Sequence, residues 1–268
     1  MHLLTWITIF TVLGGVLSII AASVFLLVPD KHHERLLPHG ISFALGALLG
    51  VAFLDLLPHM FEQAGEQQTK SLLVTLLAGI LVFFLLEKLL LWRHCHAQDC
   101  EAHIHAHEDR RTHGHQPAGT LIVFGDAIHN FVDGVLIAAA FLTDIQLGIV
   151  TSLAVTAHEI PQELGDFIIL LQSGYSRGKA LFYNLLSSLG TLAGGVLAYF
   201  SLAHIHDALP YFLAVAASSF IYVAVADLIP TLHKKTHARS TLQQMLLILA
   251  GISLIALVQH FVAGLEGK

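Results

Sequence analysis

Two short polar runs interrupt apolar stretches of this chain: His129-Asn130-Phe131-Val132-Asp133-Gly134 and His158-Glu159-Ile160-Pro161-Gln162-Glu163. Each lies near the middle of a segment long enough to cross a bilayer. An ionisable side chain at that depth costs about 2.5–3.5 kcal/mol on insertion scales. The two segments hold five carboxylates, Asp126, Asp133, Glu159, Glu163 and Asp166. Uncompensated, these would cost on the order of 10–15 kcal/mol. No lysine or arginine stands among them to neutralise the charge. A bound divalent cation does so for a cluster of carboxylates and imidazoles. Hydrogen bonding between helices would account for a single buried histidine or asparagine, but not for nine polar groups on two stripes. The chemistry these residues suit is metal handling inside a membrane.

Asp126, His129, Asn130 and Asp133 follow i, i+3, i+4, i+7 and share one stripe of a helix. His158, Glu159, Gln162, Glu163 and Asp166 follow the same rule on the next helix. Facing stripes of this kind offer imidazole nitrogen and carboxylate or amide oxygen, with no thiolate. That set suits zinc, iron(II), manganese or cadmium better than copper(I). So many oxygens can hold two ions, with Asp133 and Glu159 as bridging candidates. Pro161 cannot donate to residue 157, which frees a carbonyl and permits a kink beside the ligands. Gly134 and Gly165 are expected to let the helices approach closely.

The elements that must position these stripes are membrane helices. The chain has 268 residues, 55% of them hydrophobic and 12% charged, with mean hydropathy +0.73. A soluble domain of this length carries about twice that charge. Apolar runs fall roughly at 4–28, 37–61, 71–92, 119–142, 145–172, 178–203, 210–231 and 242–264. The reading is an all-α integral membrane protein of eight transmembrane helices, one transporter domain over 1–268. A His-rich insert at 94–117 interrupts it after the third span. The N-terminus has neither a basic n-region nor a small-residue cleavage site and reads as a first span. The net charge of −6 counts 19 histidines as neutral and says little about partners. The partners expected are divalent metal ions and lipid, with no nucleic acid; a homodimer stays open.

Lysines and arginines set the orientation. Connections after spans one, three, five and seven hold Lys31, Arg35, Arg93, Arg110, Arg111, Arg177, Lys179, Lys234, Lys235 and Arg239. The opposite side holds Lys70 and Lys268. The positive-inside rule places the first set in the cytoplasm and both termini outside, with a bacterial inner (plasma) membrane as the expected location. Asp55-Leu56-Leu57-Pro58 in span two recurs as Asp227-Leu228-Ile229-Pro230 in span seven. Five crossings separate the copies, so their helices run in opposite directions. His129, Asn130 and Asp133 are likewise matched by His158, Glu159 and Gln162 at i, i+1, i+4. Both matches point to an inverted-repeat bundle with its site at the midplane.

Gly125-Asp126-Ala127-Ile128-His129-Asn130-Phe131-Val132-Asp133-Gly134 resembles the fourth-span signature of the ZIP family of zinc/iron transporters. His158-Glu159-Ile160-Pro161-Gln162-Glu163-Leu164-Gly165-Asp166 resembles the fifth-span signature of its subfamily bearing His-Glu-x-Pro-His-Glu-x-Gly-Asp. Eight spans, outside termini and a His-rich loop after span three extend the resemblance over nearly the whole chain. It implies uptake of divalent metal, zinc foremost, toward the cytoplasm through a central site of one or two ions. It implies ligand roles for His129, Asn130, Asp133, His158, Glu159 and Gln162. The chain departs from the subfamily at Gln162, where histidine is expected; an amide binds zinc more weakly than imidazole. Some relatives also carry an acid in span six, where Thr191 stands here, and a hydroxyl cannot replace a carboxylate.

His94, His96, His103, His105, His107, His113 and His115 share the insert with Cys95 and Cys100. Such a tract is metal-avid and reads as a cytoplasmic buffer or sensor, or as a solvated linker. A disulfide there would close a very short ring, so a metal or thiol role is preferred. Asp55 and His59, one turn apart near the outer face, either attract entering ions or cap a helix end; Asp227 stands in the corresponding place toward the cytoplasm. Two other classes compete. His158-Glu159 begins an HExxH hydrolase pattern, but Gln162 occupies the second ligand position, so an intramembrane metal-dependent hydrolase is the alternative rather than the reading. Cation-diffusion exporters also carry a His-rich loop, but have six spans and a soluble terminal domain.

Overall fold

The computed structural model describes residues 2–25, 30–62, 64, 66–95, 116–202, 206–233 and 238–266. All regular structure among them is helical. Helix α1 (Leu3–Phe25) is followed by α2 (Asp30–Val51), a π-helical stretch (Ala52–Leu56) and α3 (Leu57–Glu62), which run on as one rod. Next come α4 (Glu66–Cys95), α5 (Gln116–Thr143), α6 (Ile145–Gln172) and α7 (Arg177–Leu202). A short 3₁₀ turn (His206–Ala208) leads into a second composite rod of α8 (Leu209–Tyr222), a π-helical stretch (Val223–Leu228) and α9 (Ile229–His233). Helix α10 (Ala238–Glu266) closes the described chain.

Among the described residues, seven helical segments are long and apolar enough to cross a membrane. Helix α6 is as long as α5, at 28 residues, but Glu159, Glu163 and Asp166 make it less apolar. No described residue covers the outward faces. Leu77, Leu81 and Phe84 on α4 and Leu242, Leu246 and Phe261 on α10 are each at least half exposed. Apolar area on that scale is unstable in water and stable against lipid.

Inside, small residues let the helices close up. Helix α5 packs along α7, and α1 lies against both α6 and α7. The α2 rod packs on α10 and α6; the α8 rod packs on α4 and α5. A Cβ on Gly134 would sit 2.0 Å from the Thr191 carbonyl oxygen, and one on Gly194 would sit 2.0 Å from that of Phe131. Only glycine permits that approach. Gly165 does not share this role: nothing lies within 4 Å of where its Cβ would be, so no described neighbour approaches closely there.

The two π-helical stretches share one register. Leu57 N–H reaches the Ala52 carbonyl, and Ile229 N–H reaches that of Ala224, so both bonds span five residues. In each rod the widened turn ends directly before x-Pro, at Leu57-Pro58 and Ile229-Pro230. Proline has no N–H for the carbonyl four residues back, and a π turn is one way to absorb the lost bond. The carbonyl freed by Pro58 is that of Leu54, and Gln259 Nε2 from α10 donates to it at 3.1 Å.

Candidate metal centre

Helices α5 and α6 are joined at Asp144, whose carboxylate caps α6 by accepting from Leu147 N–H at 3.1 Å. The tight connection makes the helices antiparallel neighbours, so residue 129 stands opposite 159 and residue 126 opposite 162. The two polar stripes therefore face each other. His129, Asp133, His158 and Glu159 each bring one ligand atom within 4.8 Å of the other three.

The separations have the scale of a metal's first shell. His129 Nε2 and His158 Nε2 are 3.3 Å apart. Asp133 Oδ2 lies 3.2 Å from His158 Nε2 and 3.7 Å from His129 Nε2. Glu159 Oε1 lies 3.6 Å from His129 Nε2 and 3.7 Å from His158 Nε2. Four donors at about 2.0–2.1 Å around tetrahedral zinc stand roughly 3.3 Å from one another. His158 Nδ1 is 3.3 Å from the Ala154 carbonyl. Donation there puts the proton on Nδ1 and leaves the Nε2 lone pair facing the cluster, the arrangement a ligating histidine needs.

Burial makes the cluster costly without a cation. Side-chain exposure is 1% at Asp133, 2% at His158 and 5% at Glu159, against 24% at His129. Apart from these ion-pair contacts with the two imidazoles, none of the four carboxylate oxygens of Asp133 and Glu159 has a hydrogen-bond partner among the described residues. Buried anionic oxygens with no donor cost several kcal/mol each. Two imidazole nitrogens and two carboxylates fit zinc by donor type, count and spacing.

The remaining stripe residues form a second layer. Asn130 Nδ2 donates to the Asp126 carbonyl at 3.2 Å and to Asp126 Oδ1 at 3.1 Å, while Asn130 Oδ1 accepts from Thr191 Oγ1 at 2.8 Å. Gln162 Nε2 reaches the same Asp126 oxygen at 3.4 Å. Thr191 thus stands beside Asn130, at the place where some relatives were expected to carry an acid. Glu163 is fully buried, with Asn184 of α7 donating to its backbone carbonyl at 2.9 Å; Asp166 is half-buried.

Asp55 lies in the first π-helical stretch and is fully buried; Oδ1 accepts from Gln259 and Oδ2 has no partner. His59 Nδ1 is 2.9 Å from the Asp55 carbonyl and 3.5 Å from its Oδ1, so the two share one turn. Gln146, at the start of α6, donates to the Gln259 carbonyl at 2.8 Å, which ties this group to the α5–α6 connection. Asp227 is exposed in the second π-helical stretch. Of the insert, only the backbone of His94 and Cys95 is described, as the last turn of α4. His96, His103, His105, His107, His113 and His115 lie outside the described residues, as does Cys100. Sequence reasoning passed over Gln259, Gln146 and Asn184. Each is a lone amide in an apolar helix, and its spacing carries no signal.

Comparison with known proteins gives one consistent answer. The family model described as "ZIP Zinc transporter" matches residues 2–115 and 93–259. The chain is similar to zinc transporter ZIP13 of Pongo abelii, 34% identical over 235 residues covering 83% of this chain and 66% of that protein. It is similar to human zinc transporter ZIP13, 32% identical over 267 residues, with 83% and 70% covered. Against zinc transporter ZIP10 of Danio rerio it is 38% identical over 148 residues, covering 53% of this chain and 18% of that protein. The chain thus spans about two thirds of the ZIP13 relatives and a much smaller part of ZIP10.

Proposed function

This chain belongs to the ZIP zinc transporter family and is a multi-pass integral membrane protein, and from that premise we propose that it carries divalent metal, zinc foremost, across the membrane. The observation that carries the reading is the convergence of His129, Asp133, His158 and Glu159 in the bundle interior, where the buried carboxylates of Asp133 and Glu159 stand against the two imidazoles. In this reading the four side chains are the primary ligands. Asn130, Gln162 and Asp126 flank them one turn away, where the amides hold Asp126 in place. Iron(II), manganese and cadmium tolerate the same mixed donor set and are the secondary cargoes. Membership of a transporter family gives the intramembrane hydrolase no support.

We read the fold as eight crossings in an inverted repeat, with α6 as the crossing that carries three acids. Support comes from the packing. Exchanging α1 with α7, the α2 rod with the α8 rod, α4 with α10, and α5 with α6 maps each main contact onto another. The pair α1–α6 becomes α7–α5, α2–α10 becomes α8–α4, and α2–α6 becomes α8–α5. The matched π turns at Asp-Leu-x-Pro fall in partners of that exchange. The lysine and arginine distribution puts both termini outside and the 94–117 insert in the cytoplasm. Asp55 and His59 then lie at the outer end of the pathway, and Asp227 at the inner end.

The test is zinc flux into liposomes holding the purified full-length chain, with hydrolysis of a membrane peptide measured in parallel. Saturable zinc entry without metal-dependent hydrolysis is expected. Hydrolysis without flux would overturn the reading.

A further inference from the structure

Helix α1 supplies none of the four ligands, yet it lies against both α6 and α7. Thr11, Gly14 and Gly15 follow i, i+3, i+4 on one face of α1. That face closes a cavity of about 10 Å³ whose other walls include Asn130 of α5, Thr156 and Glu159 of α6, and Thr191 of α7. The volume is about what one water molecule needs. Gly14 keeps the space open, since a Cβ there would sit 2.9 Å from Thr156 Oγ1.

The polar side chains on these walls are left with acceptors. Thr11 Oγ1 donates to the Ile7 carbonyl, Thr156 Oγ1 to the Ser152 carbonyl and Thr191 Oγ1 to Asn130 Oδ1, each at 2.8 Å. With its proton spent, each hydroxyl oxygen can only accept. The Asn130 amide nitrogen already donates twice to Asp126. Glu159 belongs both to the four-ligand cluster and to this lining. Its Oε1 stands 3.6 and 3.7 Å from the two imidazole nitrogens, and its Oε2 has no hydrogen-bond partner among the described residues. A buried carboxylate oxygen beside other acceptors needs a donor, and water brings two protons in the volume available.

We propose that this cavity is a binding site for one water molecule, which donates to Glu159 Oε2 and to a threonine hydroxyl and so holds the carboxylate against the cation. Thr156 and the glycine face of α1 are then positioning elements that act on the ion through the water and Glu159. That role rests on the four-ligand reading above; the water site itself does not.

The test uses the full-length chain in nanodiscs, titrated calorimetrically with zinc and imaged by electron cryomicroscopy at a resolution that shows ordered water. A water peak within about 3.2 Å of Glu159 Oε2 is expected in the parent and not in Gly14→Ala, whose methyl group takes the space. Thr156→Val keeps the shape and removes the hydroxyl, and should weaken zinc binding about three- to tenfold. Thr156→Ser, which keeps the hydroxyl, should recover most of that loss. A parent map without the water, equal zinc affinity in Thr156→Val and the parent, or equal weakening by valine and serine overturns the proposal. So does a zinc affinity that rises with sodium at constant ionic strength, which would put a cation in the cavity instead. Should Gly14→Ala not fold, as read by gel filtration, the Thr156 pair and the parent map carry the test. Water in place in a parent that moves no zinc would overturn the transport reading and leave the water site standing.

Discussion

The Nε2 atoms of His129 and His158 face each other at 3.3 Å from two different helices, their rings perpendicular at 84°. Two neutral imidazoles cannot both present lone pairs at that distance without a shared proton or a shared cation between them. Carboxylate oxygens of Asp133 and Glu159 stand within 3.7 Å of both nitrogens, so the point between them is ringed by four ligand atoms of two chemical types. Neither helix makes the site alone, since each supplies one imidazole and one carboxylate.

That shared construction sets the first prediction. His129→Ala or Asp133→Ala should abolish zinc uptake while the protein still inserts. Loss of one of four ligands should weaken zinc binding by at least about tenfold, by the measure of lost metal-site groups. Uptake of radioactive zinc at matched membrane expression checks it. A normal rate in either variant would falsify the central-site assignment.

How much of this was legible in the sequence differs residue by residue. The stripes on α5 and α6 were readable because polar side chains at i, i+3, i+4 and i+7 stand out against apolar neighbours. The reading of a helix at 145–172 agrees with α6 as observed. The second span expected over 37–61 agrees with the apolar segment Leu37–Glu62, while its helix starts earlier, at Asp30, because charged residues can extend a helix past the apolar window. The Asp-Leu-x-Pro repeat was visible, but not the π turns it produces, because hydrophobic periodicity does not encode one extra residue per turn. Gly165 shows the limit of composition: a glycine beside a ligand marks a close approach only if another helix is there to approach.

Glycine contacts give a paired stability test. A methyl group on Gly194 would sit 2.0 Å from the Phe131 carbonyl oxygen, so Gly194→Ala must push α7 away from α5. Overpacking of this kind costs about 1–3 kcal/mol, and the shift also moves Asn130 and Thr191 relative to each other. Gly165→Ala meets open space and should be neutral or stabilising by roughly 0.5–1 kcal/mol through helix propensity. The unfolding midpoint of Gly194→Ala should fall below that of the parent, and that of Gly165→Ala should not. Equal midpoints would show that α5 and α7 do not pack as closely as described.

Gln259 supports a third. Its Nε2 donates both to the Leu54 carbonyl, left without an N–H by Pro58, and to Asp55 Oδ1. Gln259→Leu keeps the volume and removes the donor. It should cost about 1–3 kcal/mol, the range for leaving a buried acceptor unsatisfied. Gln259→Glu, placing a second carboxylate against buried Asp55, should be worse. Unfolding midpoints of the three proteins should rank parent, then Leu, then Glu, and a Leu variant as stable as the parent would remove Gln259 from the support of the π turn.

The histidine-rich insert is predicted to tune transport rather than to perform it. Residues 96–115 join α4 to α5, and described residues outside the tract supply all four ligands of the cluster. Deletion of 95–115 should therefore shift the zinc concentration at which uptake responds more than it shifts the maximal rate. Complete loss of flux in a correctly inserted deletion protein would make the tract part of the translocation path.

The last prediction concerns Gln162, the position where the resembling subfamily carries histidine. Its amide stands 3.4 Å from Asp126 Oδ1, opposite Asp126 across the α5–α6 interface and next in sequence to buried Glu163. Histidine there puts an imidazole between the four-ligand cluster and the carboxylates beyond it. Nitrogen is the stronger donor for zinc, while manganese gains less from it. Gln162→His should lower the half-saturation for zinc by about three- to tenfold, with a smaller change for manganese. Turnover should fall as well, since an ion held more tightly in its resting place leaves more slowly unless the barrier falls equally. Loss of the amide also removes one side-chain donor to Asp126, and Asn130 remains to hold it. Paired zinc and manganese uptake curves for the variant and the parent decide the matter. Equal zinc half-saturation and unchanged zinc-over-manganese preference would mean that no ion on the pathway comes within reach of position 162.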